Sequence, residues 1–250
     1  MKTFCAFAAI MLLVAVGATA ETTNALSKAE IEGRELARQL CEARPETNSV
    51  MTGMLKIRDK EGMTKRNPIK FNVIVTKTNW VSVYEKVIPE LGSGYCRLTV
   101  TRDASNSNRF EISSYIADPE THWTKDKSEV AENCSFAGDF WVVDMSLEFF
   151  HWPAQKVLKK EVKRSRGCTV LESTNPSPAT NGYSRVVSWI DHESGGIVQA
   201  EAYDFSNKLL KEFAPKSFKK VNGQWLLQEM EIRNVQTGSR TRLEFDLAAE

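Results

Sequence analysis

The sequence predicts a mainly β chain with a few helices, built as a curved antiparallel meander, and three observations predict it. Short runs rich in β-branched and aromatic residues alternate apolar with polar side chains. Short polar turns separate the runs, which favours hairpins over parallel crossovers. The third observation is Asn222-Gly223 between two such runs, a dipeptide whose tolerance of positive φ makes it a strong hairpin signal.

Residues 1–20 of the 250-residue chain read as an export leader. Lys2 supplies the positive start, Phe4 to Val16 the apolar run, and Ala18-Thr19-Ala20 the small-residue cleavage pattern. Residues 21–250 are expected to form one β domain in a periplasmic or secreted setting. Of the 33 basic residues only Lys2 lies in the leader, so the remainder balance the 32 acidic residues. A chain with no excess positive charge has no electrostatic case for nucleic-acid binding.

Residues 24–44 read as a helix that Asn24 or Ser27 can cap and Pro45 closes. Alternation then marks strands over Ser49–Arg58, Ile69–Lys77, Asn79–Ile88, Gly94–Arg102 and Arg109–Ile116. Glu120–Asp139 is polar and reads as a long loop with room for a strand inside it. Asp144–Trp152 reads as a short helix with an aromatic side formed by Phe149, Phe150 and Trp152. Gln155–Arg166 is a basic strand, and its charges suit a solvated face that blunts a sheet edge. Cys168–Ser173, Tyr183–Ile190, Ile197–Tyr203, the pair meeting at Asn222-Gly223, and Arg240–Leu247 complete the meander. In the last strand Thr241, Leu243, Phe245 and Leu247 share one face, while Arg240, Arg242, Glu244 and Asp246 share the other. Leu226, Met230 and Ile232 alternate with Glu229, Glu231 and Arg233 in the strand before it.

The chemistry of an enzyme is not apparent. The three histidines, His122, His151 and His192, sit in no metal-ligand spacing. Asp191-His192-Glu193-Ser194 holds acid, base and hydroxyl as neighbours in a turn, whereas a triad assembles such groups in space. No catalytic residue, metal or cofactor is expected. Cys41, Cys96, Cys134 and Cys168 remain after the leader, with no CxxC spacing, and suit one or two disulfides or buried thiols. A curved sheet of about eleven strands, with little helix to cover it, tends to enclose a cavity.

Several segments resemble the outer-membrane lipoprotein-sorting protein family, the LolA-like group. The leader, first helix, meander and mid-chain aromatic segment come first, followed by Arg166-Gly-Cys168-Thr-Val-Leu171 and Tyr183–Ile190. Trp189-Ile-Asp191, Ala202-Tyr-Asp204, Lys208-Leu-Leu-Lys211, Gly223-Gln-Trp225 and Met230 through Thr237-Gly-Ser-Arg-Thr241 then follow in the order of its uncharacterised branch. The resemblance implies an incomplete β-barrel of eleven strands with a helical lid, LolA/LolB-like, around a cavity for acyl chains. It implies a periplasmic carrier that sorts lipoproteins or lipids to the outer membrane. Its partners would be acyl chains and inner- or outer-membrane envelope proteins. The alternative it offers is a non-carrier envelope interaction or lipid-sensing module. The ligand wall expected on this basis is Leu226, Met230, Ile232, Leu243 and Phe245, with Trp80 and Phe110 on the same inner surface.

Overall fold

Ser27 starts the first element. Its hydroxyl oxygen accepts from the Glu30 backbone N–H at 3.3 Å, and the Glu30 carboxylate accepts from the Ser27 N–H at 2.8 Å. This reciprocal cap satisfies donors that a helix start leaves open, and helix α1 runs over Lys28–Glu42. The computed structural model describes residues 25–87, 94–103, 106–116, 124–129, 134–221 and 224–247. The expected export leader, His122 and the expected turn at Asn222-Gly223 lie outside the described residues.

Six strands follow: β1 (Ser49–Arg58), β2 (Thr64–Val75), β3 (Trp80–Val87), β4 (Tyr95–Asp103), β5 (Asn106–Ile116) and β6 (Thr124–Glu129). A mid-chain segment comes next, with the short strands β7 (Ser135–Ala137) and β8 (Phe140–Trp141), helix α2 (Val142–Ser146) and a 3-10 turn (Glu148–His151). The second meander comprises β9 (Ala154–Lys163), β10 (Arg166–Thr174), β11 (Tyr183–Asp191), β12 (Ile197–Asp204), β13 (Leu209–Val221), β14 (Gln224–Asn234) and β15 (Arg240–Phe245).

Among the described residues, both meanders belong to one thirteen-stranded sheet, ordered β6-β5-β4-β3-β2-β1-β15-β14-β13-β12-β11-β10-β9. Every pairing is antiparallel, and the first strand closes on the last, from Gly53 opposite Phe245 to Arg58 opposite Arg240. No pairing joins β6 to β9 among the described residues, so the barrel is incomplete, as expected. The strand count exceeds eleven partly because β6 forms inside the stretch read as loop. The basic strand β9 is an edge, where lysines discourage pairing with another chain.

The expected helix over Asp144–Trp152 is instead broken in two. Leu147 adopts φ 55° and ψ 34°, a left-handed conformation that ends α2 and restarts the chain as the 3-10 turn. Asp144 is the third residue of α2, and its carboxylate accepts from the Trp141 N–H at 2.8 Å.

Two prolines sit where sheet pairing stops. Pro68 lies opposite Met54 of β1, yet β2 pairs with β3 only from Ile69 onward. The Asn67 side-chain amide donates to the Val87 carbonyl at 3.0 Å there. Pro215 lies beyond the last β12–β13 pair, Ala200 with Phe213. A proline lacks the ladder donor, so these unpaired margins tolerate it.

The sheet curls around the mid-chain segment. Phe136, Ala137, Phe140, Val142 and Met145 pack on Leu55, Ile69, Tyr84, Leu98, Val100, Leu243 and Phe245, all buried. Gly138, at φ +59°, lets this segment press on β15, because a Cβ there would lie 2.3 Å from Thr241 Oγ1. A second apolar cluster joins Ala37 of α1, Val143, Phe149, Phe150 and Trp152 to Leu171, Val186, Ile190, Ala200 and Ala202. Helix α1 lies against β9, and Gly33 allows it: a Cβ there would stand 2.5 Å from the Lys156 backbone nitrogen. The four described cysteines are free thiols rather than disulfides.

Candidate functional site

The concave face is filled on one side and hollow on the other. A cavity of about 1220 Å³ opens over β11 to β14, reaches Trp80 and Tyr84 of β3 and Arg102 of β4, and is bounded at one end by the C-terminal part of α1 and the 3-10 turn. Its wall is mostly apolar: Val186, Ala200, Ala202, Phe213, Met230 and Ile232 from the sheet, and Leu40, Phe149 and Phe150 from the helical side. Alternation brings the sheet residues to one surface. The small side chains of Ala200 and Ala202 hold space that a leucine or phenylalanine would fill. The volume exceeds the roughly 300–1,000 Å³ of ordinary small-molecule sites.

Lys211 forms part of the cavity floor. It is 1 % exposed, its Nζ donates to the Asp139 carbonyl at 2.6 Å, and Asp144 Oδ2 stands 3.5 Å away. The ammonium also lies 3.4 Å from the Trp141 ring centroid, and that ring stacks on Tyr183 at 4.9 Å. Tyr183 donates its hydroxyl to Asp144 at 2.9 Å. Burial pulls Lys211 down to about 8, against the pull of the Asp144 and Asp139 charges. Burial likewise holds the Asp144 carboxyl above its usual range, although Lys211 opposes it. Burial, then the Asp144 charge, pushes the Tyr183 hydroxyl well above 10. These groups tie the mid-chain segment to β11 and β13 and leave the cavity floor closed. A charge without a partner at such a depth would be costly, and this one is paired and hydrogen-bonded.

At the α1 end, Arg102 donates to the Met145 carbonyl at 2.9 Å, and the Asn108 amide donates to Glu148 at 2.7 Å and to the Ser146 carbonyl at 3.1 Å. These bonds hold the segment after α2 in place. Cys41 also lines the cavity, and burial raises its thiol to about 11, so it stays protonated at neutral pH.

Trp80, Met230 and Ile232 of the expected ligand wall do line the cavity. Leu243 and Phe245 lie on the inner face, as their alternation requires, but in the filled half, where they are 0 % and 6 % exposed. Phe110 packs on the same filled cluster. Leu226 departs for a different reason. The β13–β14 pairing passes from Pro215–Met230 to Ser217–Glu229 and Phe218–Leu227, skipping one residue on each strand. That irregularity reverses the faces beyond it, so Trp225 and Leu227 line the cavity while Leu226 does not. Strict alternation from Ile232 back to Leu226 could not register the skipped residue. Lys211 was also missed, although its place two residues from Phe213 puts both on one face.

The turn residues make no triad. Ser194 donates to Asp191 at 2.6 Å, while the His192 imidazole meets the Thr169 hydroxyl at 2.9 Å instead. Among the described residues no group of histidine, cysteine and carboxylate side chains is arranged to hold a metal, and no helix is long and apolar enough to cross a membrane.

Known structures repeat this architecture. A DUF1329 family protein from Desulfovibrio piger ATCC 29098 superposes with a TM-score of 0.70 at 17% identity, covering 90% of this chain and 96% of that one. A domain described as an outer membrane lipoprotein-sorting protein, from Vibrio parahaemolyticus, gives 0.68 at 19% identity over 88% and 95% of the two chains. A LolA superfamily protein from Nitrosomonas europaea gives 0.59 at 13% identity over 88% and 93%. The fold is therefore LolA-like. No curated protein sequence matches the chain. Residues 100–249, more than half of the chain, match the model of a family described as "-like: Uncharacterized protein", and the chain belongs to that family.

Proposed function

We propose that the chain is a periplasmic carrier of acyl-chain amphiphiles, namely lipids or lipid-modified proteins bound for the outer membrane. Residues 21–250 act as one domain after removal of the leader. The observation that carries this reading is the apolar cavity of about 1220 Å³ within an open, LolA-like sheet. Acyl chains enter the hollow half and rest against Val186, Ala200, Ala202, Phe213, Met230 and Ile232, driven by about 0.8 kcal/mol per buried methylene. Binding needs no covalent chemistry. The paired Lys211–Asp144 floor leaves the wall with few polar demands, so chain length and shape govern selection more than hydrogen bonding does.

The test is purification of the mature protein from its native envelope, extraction and mass spectrometry. Bound diacyl or triacyl species are expected. A lipid-free protein that also takes up no fluorescent fatty-acyl probe in solution would sink the carrier reading. Met230→Glu places a carboxylate on the cavity wall and should abolish probe uptake while leaving the circular dichroism spectrum unchanged. Full uptake by a folded Met230→Glu protein would remove this wall from the site.

A further inference from the structure

We propose that the far end of the β13–β14 hairpin is a docking arm for an anionic lipid surface, and that it sets the cavity mouth against that surface. The inference rests on the carrier reading for its purpose, but its physical basis is separate. Beyond Pro215, β13 has left β12, and β14 pairs with β15 only from Glu229 onward. Among the described residues, the outer part of this hairpin pairs only with itself, from Ser217 to Val221 and from Gln224 to Gln228. An isolated two-stranded ribbon has little stability of its own in water, yet this one carries large apolar side chains in the open.

Trp225 is 70% exposed and Phe218 is 53% exposed. Phe218 lies opposite Leu227, and Trp225 opposite Lys220, which makes one continuous surface. Phe218, Trp225 and Leu227 also line the cavity, so the surface extends its wall outward. Aromatic side chains in that position suit the boundary between headgroups and acyl chains.

Charge selects the kind of surface. Between Pro215 and Gln228 the sequence has Lys216, Lys219 and Lys220 and no acidic residue. Lys216 and Lys220 are exposed, although Lys216 also meets Glu231 of the sheet at 2.9 Å. Lys219 donates to the Leu247 carbonyl at 2.8 Å. Lysines on long apolar stems around exposed aromatics fit a negatively charged headgroup layer. Each contributes about a fivefold gain in affinity near such a surface.

The full mature protein is mixed with vesicles of phosphatidylcholine alone or of equal parts phosphatidylcholine and phosphatidylglycerol, and co-sedimentation is measured. The wild type should bind the mixed vesicles, much less the neutral ones, and lose binding as salt rises. Lys219→Glu with Lys220→Glu should weaken binding at least about twentyfold while uptake of the acyl probe in solution stays unchanged. Phe218→Ala with Trp225→Ala should weaken it about tenfold. Equal binding to both vesicles, binding to neither, or wild-type affinity in the double glutamate variant overturns the proposal. So does an arm that binds an acidic protein but no vesicle. A protein that binds mixed vesicles yet takes up no probe leaves the docking arm standing and removes the carrier reading.

Discussion

The two halves of the concave face are built from the same alternating strands, yet one is packed and the other hollow. Under β1 to β4 and β15, large inward residues such as Leu55, Leu98 and Leu243 meet Phe136, Phe140, Val142 and Met145. Under β11 to β13 the inward positions include the small Ala200 and Ala202, and Val143, Phe149 and Phe150 of the mid-chain segment cover them only in part. Sheet curvature alone thus does not make a binding cavity. The volume depends on where the covering segment is pinned and on the size of the residues it leaves uncovered. Lys211 meets Asp139 and Asp144 between the two clusters and ties that segment to β13.

The largest effect is expected at the boundary. Lys211→Met leaves the buried Asp144 carboxylate without its cation and should cost about 4 kcal/mol in urea unfolding. Adding Asp144→Asn should restore most of that loss. If the single variant is as stable as the wild type, the pair does not anchor the mid-chain segment. This boundary is also sensitive to pH. Lys211 titrates near 8 in the folded chain against 10.5 ordinarily, so the folded state gives up the proton first. The unfolded state then binds more protons between these values, and this group makes stability rise with pH from about 8 toward 10.5. The wild type should gain stability relative to Lys211→Met over that range; a flat difference would show that Lys211 titrates normally.

The filled half comes next. Leu243→Ala should cost about 3 kcal/mol, because Leu243 is wholly buried and its neighbours cannot collapse fully. Met230→Ala, on the half-buried wall of the hollow side, should cost about 1 kcal/mol or less. Equal losses would mean that the hollow half is packed in solution. A smaller effect on stability separates binding from folding: Ala200→Phe should change unfolding by about 1 kcal/mol at most while lowering acyl-probe affinity about tenfold. Unaltered affinity would place the ligand elsewhere. The least effect on stability is expected at the exposed arm, where Trp225→Ala should fall within about 0.5 kcal/mol.

Much of the sheet was legible in the sequence. The faces of β15 follow its alternation, with Thr241, Leu243 and Phe245 buried and Arg240 exposed. Ser27 was one of two caps the sequence offered, and its reciprocal bonds with Glu30 came from the structure. The basic run on β9 suited the edge it occupies. The candidate wall was less legible. Inward orientation was correct for Leu243 and Phe245, but whether an inward residue faces a ligand or a core depends on what lies opposite. For Leu226 even the face was hidden, because the skipped residues in the β13–β14 pairing leave the apolar pattern looking regular.

By itself, the sequence determined the succession of most strands along the chain, the turns between them and most side-chain faces, since each is set by residues that are neighbours or near neighbours along the chain. Tertiary structure alone decided the closing of β1 on β15, the left-handed break at Leu147, and the burial of Lys211 between Trp141 and Asp144. It also decided which half would remain open and left the β13–β14 arm unpaired at its margins. The physical reason is that periodicity is a local property. A cavity is the space left over when distant segments fill some volumes and not others.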